Sequence, residues 1–286
     1  MWSVARVAIA VAGVMALSGL SPASPPAHAQ SPQAALAHIH GVALDPGDPT
    51  RVYLATHHAL YLASPDGSAR LVSNARDDLM GFLPHPSRPG EFFASGHPAS
   101  GGNLGFIRSV DGGNTWQPLS QGAGGPVDFH HLAVSRSDPD VIYGVFRGLQ
   151  QSTDGGRSWA ILAREPAGLI GLAVSPTSST VLYGATEAGL LVSADAGRTW
   201  QSALALRRPA TMVHTTAQGA IFAYFAGVGL MRAEGDGRPW RRLGALAGDR
   251  VILHFAAGSA RYFAVSQHSE IFWSEDQGQT WRPYGS

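Results

Sequence analysis

The stretch SVDGGNTW, residues 109–116, decides the fold, because its order of a hydroxyl residue, an acid, a glycine and a tryptophan recurs along the chain. Three further full copies follow it at intervals of 43, 41 and 81 residues: STDGGRSW (152–159), SADAGRTW (193–200) and SEDQGQTW (274–281). Since the last interval is about twice the others, AEGDGRPW (233–240) is interpreted as a degenerate copy, and SPDGSARL (64–71) as another. An active site is usually encoded once, so this repetition predicts a structural unit.

Each unit is predicted to form four short strands with glycine-rich turns between them, most clearly in the fourth unit: GLIGLAVS, VLYGATE, GLLVSA and TWQSAL. Such strands predict an antiparallel meander, and a radial repeat of meanders is a β-propeller. We therefore expect an all-β fold, a six-bladed β-propeller of four-stranded antiparallel blades, as a single domain over residues 37–286, with seven blades as the alternative count. The first predicted strand is innermost and the last is outermost, so we expect no strand to be exchanged between the termini.

The repeated motif spans the predicted turn between the third and fourth strands. There the hydroxyl and the acid can bond turn amides, the glycine can adopt a positive φ, and the tryptophan can pack beneath the hairpin. The motif resembles the Asp-box (BNR) repeat S-x-D-x-G-x-[ST]-W of the sialidase superfamily. The resemblance implies structural roles for the acid and the tryptophan of each full copy: Asp111, Trp116, Asp154, Trp159, Asp195, Trp200, Asp276 and Trp281. The chain is most similar to exported bacterial Asp-box propellers of the glycosyl hydrolase-like and photosystem II assembly factor-like kinds, a fold that does not by itself select a function.

The N-terminus has the pattern of a secretory signal peptide. Arg6 precedes an apolar run over residues 7–17, and Ala27-His28-Ala29 forms an A-x-A cleavage site. We expect a signal peptide over 1–29 and a linker over 30–36. The mature protein is then exported, either periplasmic or secreted, with no membrane insertion after cleavage.

Composition excludes nucleic acid as a partner, and it excludes disulfides and thiolate metal sites. Of the 20 basic residues, Arg6 lies in the predicted signal peptide, so the mature chain carries 19 basic residues against 20 acidic ones. Without lysine or a basic block, the chain lacks the charge needed to hold nucleic acid. Without cysteine, disulfides and thiolate metal sites are both excluded.

Histidines concentrate at one mouth of the predicted ring, where the first strands of the blades begin and the second strands end. Of the eleven histidines after residue 29, only His85 maps to the opposite side. Imidazoles with nearby carboxylates form a ligand set for transition metals. The predicted metal ligands are His38, His40, His57, His97 and His130, with Asp78 and Asp128 as coordinating or supporting carboxylates. Further ligand-binding residues predicted at this mouth are Met80, His131, Arg147, His214 and His254.

Several functions stay open at this point. As a non-catalytic binding protein, the propeller would hold a copper-class metal, favoured by Met80, or a zinc-class metal, favoured by the carboxylates. It could equally hold a small polar ligand. Alternatively, the histidines are structural and cap strands, fill gaps between blades or bond backbone carbonyls. As a glycoside hydrolase, it would use Asp78, Asp128 and Glu187 as acid and nucleophile or base on a glycan. Resemblance to true sialidases would further imply an Arg-Ile-Pro stretch, and none is found. The third class is a scaffold whose mouth binds another protein.

Overall fold

The computed structural model describes Leu36, residues 38–246 and residues 250–285. The predicted signal peptide, and the predicted linker apart from Leu36, lie outside the described residues. Within the described part, no helix is long and apolar enough to cross a membrane. The described strands instead form six antiparallel sheets of four strands each, which confirms the predicted all-β, six-bladed propeller.

The strands follow one another in chain order within every blade. Blades one to three contain β1 (Ile39–Asp45), β2 (Asp48–Thr56), β3 (Ala59–Ala63) and β4 (Ala69–Leu71); β5 (Asp78–Pro84), β6 (Phe92–His97), β7 (Phe106–Ser109) and β8 (Gln117–Ser120); β9 (His131–Val134), β10 (Ile142–Val145), β11 (Leu149–Ser152) and β12 (Ala160–Ala163). Blades four to six contain β13 (Leu169–Val174), β14 (Leu182–Thr186), β15 (Gly189–Ser193) and β16 (Gln201–Ser202); β17 (Ala210–Thr215), β18 (Ile221–Phe225), β19 (Gly229–Ala233) and β20 (Arg241–Arg242); β21 (Ile252–Ala257), β22 (Tyr262–Ser266), β23 (Ile271–Ser274) and β24 (Arg282–Pro283).

The first strand of every blade lies on the inside of the ring. Each inner strand contacts the inner strand of the next blade, and β21 returns to contact β1. Together these strands enclose a central channel with a volume of about 410 Å³. The hydrophobic core lies between the blades, as where Tyr53 of the first blade packs edge-on against Phe92 of the second at 4.9 Å between ring centroids.

The repeated motif forms the turn between the third and fourth strands, as the fourth blade illustrates. Ser193 Oγ donates to Asp195 Oδ1 at 2.7 Å and accepts from the Gly197 amide at 2.8 Å. The Asp195 carboxylate accepts from the Thr199 amide at 2.8 Å and from Thr199 Oγ1 at 2.6 Å. Trp200 Nε1 donates to the Gly197 carbonyl at 3.0 Å. The serine-to-aspartate hydrogen bond recurs in the other three full copies.

Glycine is required at the fifth motif position by a close approach between blades. Gly197 has φ +84°, and a Cβ there would lie 2.1 Å from Cδ2 of Leu149 in the preceding blade. Real Cβ atoms do not approach another carbon that closely. The turn therefore packs directly against the preceding blade. This contact explains why the motif occurs once per blade.

The ring closes without an exchanged strand, because the first and last blades each consist of four consecutive strands. Side chains join them instead. Tyr284, after β24, donates its hydroxyl to the Thr50 carbonyl at 2.7 Å and to the Ala63 carbonyl at 3.0 Å. The Ile39 amide donates to Ser269 Oγ at 3.2 Å. Phe263 of the last blade packs into the same buried cluster as residues of the first.

Candidate metal centre at the channel mouth

Two groups of converging ligand atoms lie at the mouth where the inner strands begin. One contains His40, His57 and Asp78, and the other contains His97, Asp128 and His130. In each group, one donor atom per residue lies within 4.8 Å of the others. We call these groups triad one and triad two.

Triad one spans the first and second blades. His40 is the extra residue of a bulge on β1, where the pairing with β2 shifts between Ile39 and Gly41, and a bulge of this kind re-aims a side chain. His40 Nε2 lies 3.2 Å from His57 Nδ1 and 3.7 Å from Asp78 Oδ1. His57 Nδ1 lies 2.6 Å from Asp78 Oδ2. Three donor atoms from β1, the β2–β3 turn and β5 therefore converge.

Triad two joins the second and third blades through one carboxylate oxygen. Asp128 Oδ2 lies 3.0 Å from His97 Nε2 and 2.7 Å from His130 Nε2. His97 Nδ1 lies 2.8 Å from the Gly102 carbonyl, which can only accept, so Nδ1 carries the proton. In the neutral ring, Nε2 then directs its lone pair at the carboxylate, and only a proton or another cation between them makes that contact favourable.

The two triads meet on the second blade. Asp78 and His97 are backbone partners across β5 and β6. Their close pairing depends on Gly96, which has φ +134° and whose Cβ, if present, would lie 1.9 Å from the Asp78 carbonyl oxygen. The loop after His97 is held by three contacts: His97 to Gly102, the Ala99 amide to Asp77 at 3.3 Å, and Asn103 to the Pro126 carbonyl at 2.9 Å.

Burial and neighbouring charge shift the triad pKa values in opposite directions. Burial, aided by the nearby ring of His57, lowers the pKa of His40 from 6.5 to about 4. His40 is therefore neutral at neutral pH and can act as a ligand. The hydrogen bond to Asp128 raises the pKa of His130. A charge on His130 lowers the pKa of His40, so the two triads influence each other electrostatically.

Three other predicted histidines line the channel instead of joining a triad. Burial lowers the pKa of His131 and of His254 to about 4. The backbone of the next blade, at Leu169 and Ile39 respectively, accepts from the ring N–H and partly offsets this lowering. These two rings bridge blades. His214 lies deeper than the mouth register implied by the sequence, and its pKa falls to about 3 because of burial and the positive charge of Arg136.

The remaining predicted residues lie around these groups. The His38 ring is 5.0 Å from that of His57, but His38 belongs to neither triad; it is exposed with φ +60°. Met80 is buried on the channel wall. Arg147 is exposed, with φ +54° and its guanidinium 5.1 Å from the centre of the Phe146 ring. Glu187 is exposed beside Gly168. No sequence pattern indicates the Gly102 carbonyl, whose role depends on how the loop folds back.

The fold resembles that of several solved β-propellers. A GH74 xyloglucanase from Xanthomonas campestris matches with a TM-score of 0.55 and 20% identity over 86% of this chain and 45% of that chain. A gluconolactonase from the same organism, XC5397, matches with a TM-score of 0.60 and 14% identity over 83% of this chain and 85% of that one. YCF48 bound to D1 peptide matches with a TM-score of 0.52 and 15% identity over 87% and 81%.

These identities establish the fold alone. This chain spans less than half the length of the GH74 enzymes. No family model and no curated protein matches the sequence. Membership of the sialidase superfamily, which the four full Asp-box copies predict, stays a prediction. The comparisons thus place the chain among β-propellers, whose members include GH74 enzymes and a protein that binds a peptide.

Proposed function

We propose that the protein is an exported, non-catalytic metal-binding propeller that holds a divalent transition metal ion at each triad. The observation that carries this proposal is the pair of triads with two histidines and one aspartate each, side by side at one mouth. Independent surface histidines would not converge twice on a carboxylate in adjacent blades.

Unpartnered carboxylate oxygens support a cation at both positions. Among the described residues, Oδ1 of Asp78 and Oδ1 of Asp128 are buried without a hydrogen-bond partner. A buried carboxylate oxygen without a partner costs free energy, and a bound ion removes that cost. In triad two, Nε2 of His97 also faces the Asp128 carboxylate at 3.0 Å while Nδ1 bonds the Gly102 carbonyl, an arrangement that favours a cation between Nε2 and the carboxylate.

The ligand chemistry selects the class of metal. Each triad supplies two imidazole nitrogens and carboxylate oxygen, which suits Zn²⁺ and Cu²⁺. Ligand atoms around a tetrahedral ion with bonds near 2.0 Å are roughly 3.3 Å apart. The separation of 3.2 Å between His40 and His57 already meets this value. The Gly102 contact to His97 is of the kind that orients metal-bound imidazoles.

Hydrolysis of a glycan is less well supported. Of the three candidate catalytic carboxylates, Asp78 and Asp128 are both in contact with ring nitrogens of histidines, and Glu187 is exposed next to Gly168. A paired acid and nucleophile on either side of a sugar would need two free carboxyl groups facing each other. The glycan-acting neighbours share the fold but provide no argument for the reaction.

Replacing the two aspartates together tests the proposal. We expect purified protein to bind Zn²⁺ or Cu²⁺ in competition with a chromophoric chelator, and Asp78→Asn/Asp128→Asn to weaken that binding about tenfold or more. Bound ion should also raise the midpoint of thermal unfolding more in the unmodified protein than in the double variant.

Glu187→Gln is the matched control, because it neutralises the third mouth carboxylate without touching a triad. It should bind metal as the unmodified protein does. The proposal is wrong if the unmodified protein binds neither ion after reconstitution, or if the double variant, folded as judged by circular dichroism, binds as tightly as the unmodified protein.

A further inference from the structure

Arg136 is a cation on the channel wall at the opposite end from the triads. His130 precedes β9 at the mouth and Arg136 follows β9, so roughly 15–20 Å of extended chain separates them. Arg136 is partly buried, lines the central channel, and makes no hydrogen bond or ion pair within the described part of the chain. Burial lowers its pKa, the sign of a charge that is not compensated by an acid.

The described lining of the channel contains no aspartate or glutamate. Its other titratable side chains are histidines, and burial together with the positive charge of Arg136 keeps His214 uncharged at neutral pH. Arg136 therefore sets the sign of the charge in this part of the channel. An arginine held in a partly desolvated site without a counter-charge is costly unless an anion binds to it.

The rest of the wall is largely apolar. Val134, Val174 and Phe255 are among the aliphatic and aromatic residues that line the channel. The volume of about 410 Å³ is in the range of small-molecule sites. A ligand that matches both features has one anionic group for the guanidinium and an apolar body for the wall.

We propose that the central channel binds a small monocarboxylate with an apolar body, anchored by a forked contact between the carboxylate and the guanidinium of Arg136. Arginine presents paired N–H groups in the geometry of a carboxylate. The Oγ1 of Thr215, also on the wall, is not available because it donates to the Val174 carbonyl at 2.9 Å. This leaves the guanidinium as the charged anchor, at the end of the channel opposite the triads.

Benzoate and its neutral isostere benzamide test the charge requirement. Calorimetry and saturation-transfer NMR on chelator-treated protein, so that no ion at the mouth can capture the carboxylate, should show binding of benzoate in preference to benzamide. Arg136→Met should weaken benzoate binding about tenfold or more, because a charge-assisted pair is lost, while benzamide binding stays unchanged. Arg136→Lys should give an intermediate affinity.

Arg207→Met, which removes an exposed arginine, is the control and should bind benzoate normally. Unfolding gives a second readout, because removal of an uncompensated charge should leave Arg136→Met at least as stable as the unmodified protein without ligand. Equal affinity for benzoate and benzamide, no benzoate binding at millimolar concentration, or full benzoate affinity in Arg136→Met would each overturn the proposal. Loss of stability in Arg136→Met would assign the arginine a structural role instead.

Discussion

Asp78 and His97 face each other as backbone partners across β5 and β6, yet their side chains serve different triads. Asp78 contacts His57 of the first blade, whereas His97 contacts Asp128 at the start of the third. The second blade thus contributes one residue to each triad. Because the triads share no side chain, we expect each to hold an ion when the other is disrupted.

Single histidine variants should therefore halve the bound metal. We expect His57→Ala to lose the ion of triad one and His97→Ala that of triad two, so that each variant keeps one of two ions in elemental analysis. His38→Ala should keep both, since His38 lies beside triad one but outside it. His85→Ala, on the far side, is the second control. Loss of both ions from either single variant would indicate one shared centre.

Acid should destabilise the ring through the bridging histidines. His131 and His254 have pKa values of about 4 in the folded protein against 6.5 when unfolded. Between these values the unfolded chain binds more protons, so the free energy of unfolding falls as pH drops from about 6.5 to about 4. Urea unfolding at a series of pH values measures this slope. His131→Gln/His254→Gln, which keeps a donor for the backbone, should flatten it, and an unchanged slope would contradict the assignment.

The repeat predicts the blades because the motif encodes a local turn, and each full copy repeats the serine-to-aspartate hydrogen bond. The mouth is predictable only in part. His40, His57, His97 and His130 could be placed at one face from strand register, but the division into two triads depends on contacts between blades, such as His57 with Asp78. Arg136 occurs once, with no repeat to mark it, and its significance comes from what surrounds it in the channel.

The close contact between the motif glycine and the preceding blade should have a measurable effect on the free energy of unfolding. Gly197→Ala combines a positive φ with a Cβ 2.1 Å from Leu149, so we expect a loss of about 2–4 kcal/mol in the free energy of unfolding. Gly219→Ala is the matched control, with φ +90° and open space around the added carbon, and should cost about 1 kcal/mol. Equal losses in chemical denaturation would mean that backbone conformation alone explains the glycine.

The degenerate fifth motif has acquired a different contact. Ala233 and Gly235 replace the serine and the aspartate, and the next residue, Asp236, reaches the fourth blade. Its carboxylate accepts from Tyr183 at 2.8 Å and from Ser175 at 2.5 Å.

Asp236→Asn should consequently weaken the contact between the fourth and fifth blades. We expect a loss of about 1–3 kcal/mol, since hydrogen bonds to a charged acceptor are replaced by weaker ones. Glu234→Gln, on the exposed side of the same turn, should change stability little, and urea unfolding compares the two. Equal free energies of unfolding for the two variants would show that Asp236 does not stabilise the contact between the fourth and fifth blades.

Tyr284 should stabilise the closure of the ring specifically. Removing its hydroxyl in Tyr284→Phe leaves the carbonyls of Thr50 and Ala63, of which that of Ala63 is buried, without this donor, so we expect a loss of about 1–3 kcal/mol in the free energy of unfolding. Tyr143→Phe is the control, because Tyr143 donates to the Ser179 carbonyl at 2.8 Å and so joins the third and fourth blades.

Amide hydrogen exchange separates the effect on ring closure from the effect on general stability. Only Tyr284→Phe should speed exchange in the first and last blades ahead of the others, because the ring has no exchanged strand to hold those blades together. Uniformly faster exchange around the ring in Tyr284→Phe would show that the tyrosine contributes to general stability and not to closure.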